Sequence, residues 1–165
     1  MHILLTNDDG LLAPGLLAAY AGLKGRGHQV TVCAPDCQRS ASSQSVTLRK
    51  PSKVAPWAMP DGALGFAVYG TPADCTRLGF SVLAKEPVDL VISDLVMPEM
   101  DGFELTEAIK NDPVLRKTPV VIISTHADSK YIFRALRLGA ADYLTKPPTA
   151  EMVGVVLPRV FDPHW

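Results

Sequence analysis

Short apolar runs of strand length alternate along this chain with longer stretches of helical spacing, and few folds accept that rhythm. Residues 2–6 open it as an apolar strand. Pro14 then stands at a first helical position, and PGLLAAYAGLKGRG places Leu16, Leu17, Tyr20 and Leu23 on one face, with glycine past the end. QVTVCA, residues 29–34, is rich in β-branched residues and reads as a second strand. Residues 88–93, 119–124 (PVVIIS) and 142–145 (DYLT) supply three more. Helices are expected between them over 71–84, with Thr71 as cap and Pro72 at its first position, over 102–111, and over 128–138 with Gly139 as the stop. Such alternation implies an α/β fold with helices on both faces of a parallel sheet. A doubly wound sheet of five strands in the order 2-1-3-4-5 fits, with strands 1 and 3 adjacent and a ligand crevice between their carboxyl ends.

Two segments break the rhythm. Residues 35–70 hold a polar, Ser-rich run, PDCQRSASSQS, then VTLRK and LGFAVYG around a Pro-rich connection, PSKVAPWAMPDG. They read as an inserted β-hairpin and loop after the second strand, too short for a second domain. Residues 148–165 are left open between a helix and an arm. Thr149 could cap a helix there, but Gly154, the β-branched residues 153–156 and Pro158 oppose one. Apolar Val155, Val156, Leu157, Val160, Phe161 and Trp165 leave monomer and arm-mediated dimer both open.

The 165 residues suffice for one compact domain, and a single α/β domain over 1–165 is expected. A net charge of −1 gives no electrostatic case for nucleic acid or an anionic membrane. No apolar run has transmembrane length, and the N-terminal run is too short for a signal peptide. The three cysteines, Cys33, Cys37 and Cys75, lack zinc or disulfide spacing and read as reduced thiols in a cytoplasmic protein. The four histidines, His2, His28, His126 and His164, are scattered and read as structural or surface residues.

Chemistry concentrates at strand ends. In VDLVISDLVMPEMDG an apolar strand stops at Asp94, followed by a proline and an Asp-Gly turn. The first strand ends in Asn7, Asp8, Asp9 and Gly10, beside Asp94 in the expected order. Three converging carboxylates require a cation, and hard oxygen ligands without Cys or His indicate Mg²⁺ or Mn²⁺. For an isolated Asp-Asp-Gly, a helix cap or turn is the better reading; Asp94 on the adjacent strand tips the balance to a metal site. Ser124 ends the next strand and offers a hydroxyl to a phosphoryl oxygen. Lys146 ends the last and can pair with that group or with Asp94.

From about residue 88 to 147 the chain resembles the CheY-like receiver domain of response regulators, on DLVISDLVMPEMDGFEL, PVVIIS and LGAADYLTKP. The resemblance implies a flavodoxin-like fold, Asp94 as phosphoacceptor, Ser124 as hydroxyl switch residue, Tyr143 as the switching aromatic, Lys146 as the site lysine with a cis bond to Pro147, and the Val96 carbonyl as a Mg²⁺ ligand. From residue 1 to about 87 it resembles the SurE (survival protein E) nucleotidases, on ILLTNDDG, LAPG, APD, QRSASSQSVTL and GTPADCTRLG. That resemblance implies Asp8, Asp9 and Ser40 as metal or phosphate ligands and phosphatase activity on nucleoside monophosphates. The chain departs from both patterns. Val96 replaces the asparagine ligand expected in SurE, and the downstream segment of its substrate pocket does not follow. A receiver domain has no Ser-rich hairpin.

The simplest account is an engineered fold-recombination chimera joined in or near residues 86–93, without an evolved function. It is expected to retain a Mg²⁺-binding acidic site that accepts a phosphoryl group on Asp94 from a small donor, rather than to be an enzyme. A histidine-kinase partner is not expected, because the first helix comes from the other family. The alternative is a residual metal-dependent phosphatase of nucleotidase type, using Asp8, Asp9 and Ser40 with Asp94 in place of the missing ligand.

Overall fold

The structure is a computed structural model that describes residues 1–7, 9–36, 53–70, 72–95 and 102–161. Asp8, Cys37, Ser40, Thr71, Val96 and the expected VTLRK strand lie outside the described residues. The elements in chain order are β1 (His2–Leu5), α1 (Pro14–Gly25), β2 (Gln29–Pro35), β3 (Lys53–Ala58), β4 (Leu64–Tyr69), α2 (Pro72–Leu78), a π-helical turn (Gly79–Leu83), β5 (Leu90–Asp94), α3 (Gly102–Asn111), β6 (Val120–Ser124), α4 (Ser129–Arg137), β7 (Asp142–Thr145) and α5 (Ala150–Phe161).

All seven strands form one sheet in the order β3-β4-β2-β1-β5-β6-β7. This enlarges the expected five-stranded sheet. The inserted segment extends it, because β4 runs parallel to β2 and carries β3 antiparallel at the edge. β3 also lies inside the stretch read as a Pro-rich connection. Pro56 is tolerated because an edge strand leaves one side of its backbone unpaired, so the missing N–H breaks no second ladder.

β1 pairs with β2 and β5, in register Ile3 with Val30 and Leu90. β1, β5 and β6 are buried along their whole length, as befits parallel strands covered on both faces. Their side chains alternate between two layers. On one face Ile3, Leu5, Ile92, Val121 and Ile123 meet Leu16, Tyr20 and Leu23 of α1 and Val156 and Leu157 of α5. On the other, Leu4, Val91 and Val120 meet Cys75 of α2 and Leu105 and Ile109 of α3. Each core therefore draws on residues from both sides of the expected join. At roughly 1.5–3 kcal/mol per fully buried large aliphatic side chain, these shared layers are the main force holding the two parts together.

α5 resolves the open C-terminal segment over residues 150–161. The Thr149 hydroxyl accepts the Met152 N–H at 3.2 Å, a cap of the expected kind. Met152, Val153 and Val160 pack against the core beside Val156 and Leu157, which outweighs weak helix propensity. At Gly154 the Arg26 guanidinium lies over the helix, 2.5 Å from where a Cβ would stand, so a side chain there would displace the end of that arginine. Gly154 is also the residue four before Pro158, whose ring would crowd that carbonyl in a regular helix. The helix expected over 71–84 changes hand-over-hand spacing at Gly79, where the Ala84 N–H donates to the Gly79 carbonyl at 2.9 Å.

Among the described residues no helix is long and apolar enough to cross a membrane.

Candidate functional site

The carboxyl ends of β1, β5, β6 and β7 meet along one sheet edge, where the expected crevice exists. It is a cleft of about 360 Å³ whose lining includes Thr6, Asn7, Asp9, Ser93, Asp94 and Lys146.

Asp94 ends β5 with only 7% of its surface exposed. Burial of a carboxylate is costly unless each oxygen finds a donor. Here the Leu95 N–H donates to Oδ1 at 2.8 Å, and the Lys146 ammonium pairs with Oδ2. Lys146 follows β7, which pairs in parallel with β6, and this brings its side chain to the same sheet edge. The Lys146–Pro147 peptide bond is cis. Behind Asp94 the chain turns into α3 at Gly102. A Cβ at Gly102 would sit 2.5 Å from the Asp94 carbonyl oxygen, so this position needs glycine for close backbone approach. The Gly102 N–H donates to the Leu95 carbonyl at 2.8 Å.

Ser124 is fully buried at the end of β6, and its hydroxyl accepts the His126 N–H at 3.1 Å. Tyr143 lies inward on β7, donating its phenol proton to the His126 carbonyl at 2.7 Å. Burial holds the Tyr143 phenol above its ordinary pKa; the Ser124 hydroxyl beside it pulls the other way, and the Asp94 charge adds to the rise. Ser124 and Tyr143 thus grip the segment after β6 from two sides, next to the cleft rather than in its lining.

Of the acids after β1, Asp9 is exposed and lines the cleft with Asp94. The expected ligands Asp8, Val96 and Ser40 lie outside the described residues. Among the described residues no cluster of three Asp, Glu, His or Cys side chains forms.

Two groups that sequence reasoning passed over stand in the cleft wall. Thr6 Oγ1 and Asn7 Oδ1 are buried and have no hydrogen-bond partner among the described residues. The Asn7 amide nitrogen donates to the Gly10 carbonyl at 3.1 Å, which turns its oxygen the other way. Asn7 opens the Asn-Asp-Asp-Gly run, where the adjacent acids carry the stronger sequence signal. The uniformly oxygen donor set of Asp9, Asp94 and Asn7 suits a hard divalent cation.

His2 is buried, with its ring nitrogens at 3.0 Å from the Glu86 carbonyl and 2.7 Å from Thr31 Oγ1.

An open, mostly parallel α/β sheet with a crevice at the carboxyl ends of its strands defines the doubly wound class of fold. Within that class, the family model of survival protein SurE matches residues 3–95, and that of the response regulator receiver domain matches residues 65–156. The chain belongs to both families, SurE through its first part and the receiver domain through its second. The shared stretch contains residues 86–93, where the sequence places the join.

The 5'-nucleotidase SurE of Desulfitobacterium hafniense strain Y51 is 35% identical over 164 residues, covering 97% of this chain and 60% of that protein. That of Maridesulfovibrio salexigens is 46% identical over 95 residues, covering 58% of this chain and 38% of that protein. The chain therefore spans less than two thirds of the length of either relative.

Solved structures share the fold. A response regulator receiver domain protein from Clostridium thermocellum superposes with a TM-score of 0.60 at 20% identity, over 97% of this chain and 94% of that one. A response regulator from Desulfuromonas acetoxidans gives 0.62 at 19%, over 99% and 98%.

Proposed function

We propose that this chain is an engineered recombination of the two families, one domain across the join, whose crevice accepts a phosphoryl group on Asp94. The observation that carries the reading is the setting of Asp94. It is buried at a strand end, with an ammonium on one oxygen, a backbone N–H on the other and a second carboxylate, Asp9, in the same cleft wall. With a small donor such as acetyl phosphate, an Asp94 oxygen forms the new bond to phosphorus, the bond from phosphorus to the acetyl oxygen breaks, and acetate leaves with the electron pair. Lys146 would shift from the carboxylate to the incoming phosphoryl oxygens, and Ser124, buried beside the cleft, would have to turn its hydroxyl toward them. Asp8, Asp9, Asp94 and the Val96 carbonyl would hold Mg²⁺ or Mn²⁺, which neutralises the phosphoryl charge. Tyr143 would report the change through its hold on the segment after β6.

The SurE match over residues 3–95 favours a second reading, a metal-dependent phosphatase using Asp8, Asp9 and Ser40. Titration with Mg²⁺ and then beryllofluoride, followed by amide NMR, separates the two. The first reading expects saturable shifts at Asp94, Ser124 and Lys146 that vanish in Asp94→Asn. Shifts with Mg²⁺ alone, unchanged in that variant, together with phosphate-ester hydrolysis lost in Ser40→Ala, would favour the second.

A further inference from the structure

Asp94 is buried yet borders the cleft, and its neighbours decide what the rest of that space can hold. Side chains alternate along β5, so Asp94 shares a sheet face with Ile92, the face that α1 covers. Parallel register sets Ile123 of β6 beside Asp94, and Leu5 of β1 beside Ile92. The carboxylate therefore rises from an apolar floor, and Leu5, Ile92 and Ile123 all line the cleft with it. The facing wall is α1, which borders the cleft with the small residues Gly15, Ala18 and Ala19. A Cβ at Gly15 would meet nothing within 4 Å, so the space in front of that wall is open. At about 360 Å³ the cleft lies within the range of about 300–1,000 Å³ in which small organic molecules bind, and such sites are mostly apolar with a few placed polar groups.

Displacement at phosphorus runs in line, so the leaving group departs on the side of phosphorus away from Asp94. For a carboxylate on this face of the sheet, that side is the one α1 occupies. Among the described residues that line the cleft, the charged ones are Asp9, Asp94 and Lys146, and the lysine is paired with Asp94. A leaving group with several negative charges, such as a nucleoside diphosphate, would lie beside Asp9 with no second cation to meet it. A compact apolar group meets no such repulsion and takes apolar wall out of water.

We propose that the preferred phosphodonor is an acyl phosphate with a compact apolar acyl group, larger than acetyl, which lies against α1 at Gly15 and Ala18. This rests on the reading of Asp94 as phosphoacceptor and names the donor class for that same site. An Asp94 oxygen forms the bond to phosphorus, the bond from phosphorus to the acyl oxygen breaks, and the carboxylate of the apolar acid leaves with the electron pair.

The test follows phosphorylation of the full chain by intact mass, with Mg²⁺ present and benzoyl phosphate or acetyl phosphate at the same low concentration. At low donor the rate reads capture of the donor as well as the chemical step. Benzoyl phosphate is expected to modify the parent chain about tenfold faster than acetyl phosphate. The two donors differ in intrinsic reactivity, so the deciding quantity is how their rate ratio changes when the wall is filled. Ala18→Leu and Gly15→Leu should each bring the ratio down toward one while the amide spectrum stays dispersed. Ala18 is exposed and Gly15 faces open space, so either variant serves if the other unfolds. Adenosine triphosphate should give no adduct. A ratio near one in the parent, an unchanged ratio in a folded variant, or an adduct from adenosine triphosphate as fast as from benzoyl phosphate would overturn the proposal and leave Asp94 as phosphoacceptor. No adduct from either acyl phosphate on the folded parent would overturn both.

Discussion

The two sides of the crevice are built to different standards of completeness. On the receiver-like side, Asp94, Ser124, Tyr143 and Lys146 all have polar partners, linked through Leu95 and His126. On the SurE-like side, Thr6 Oγ1 and Asn7 Oδ1 have none among the described residues, and Asp9 faces solvent. β1 lies within the SurE match alone, β6 and β7 within the receiver match alone, and β5 within both. The apolar layers merge because hydrophobic contact is non-directional, whereas hydrogen bonds must be aimed.

The contrast can be broken most severely at Lys146. Lys146→Met leaves the Asp94 carboxylate buried without its counter-charge, and urea unfolding should show a loss of about 3 kcal/mol. The converse change, Asp94→Asn, leaves a lysine that can reach water and should cost less. Gly102→Ala forces a methyl group against the Asp94 carbonyl and should cost about 2 kcal/mol, with amide shifts centred on Asp94 and Leu95. On the other side the sign reverses. Thr6→Val replaces a hydroxyl that has no partner among the described residues by a methyl group of the same shape and should raise stability by about 1 kcal/mol. If it destabilises instead, the Thr6 hydroxyl has a donor and the two sides are alike.

The smallest effect sharpens the comparison away from the crevice, where α1 meets the β3–β4 turn. Tyr20 donates to Asp61 at 2.8 Å. Burial first, then this bond and the Asp61 charge, push the phenol from 10.0 to about 12. The folded state therefore holds that proton more tightly than the unfolded chain. The associated stability is fully present below about pH 10 and disappears as pH rises toward about 12. Tyr20→Phe should remove this part of the alkaline loss in a pH series of thermal melts, and should cost under about 1 kcal/mol at neutral pH because Asp61 is solvated.

Much of this architecture could be read from periodicity. The buried strands are continuous apolar runs, Asp128 caps α4 by accepting the Lys130 N–H at 3.1 Å, and Gly139 stops it with φ of 98°. What escaped depends on partners distant in sequence. β3 was hidden by Pro56, which only its edge position excuses. α5 was obscured by Gly154 and Pro158, whose penalties are met by packing on the core. At the site, a strand end can be recognised from an apolar run closing on a polar residue, which is how Asp94, Ser124 and Lys146 were singled out. That Asp94 and Lys146 pair, while Thr6 and Asn7 lack partners, follows from the relative placement of four strands and has no local signature.

The most direct test of the recombined site is intact-mass analysis after incubation with acetyl phosphate and Mg²⁺. The account predicts a single added phosphoryl group on the parent chain, mapped to Asp94, and none on Asp94→Asn. A folded parent that stays unmodified, or an adduct that persists in Asp94→Asn, would contradict it.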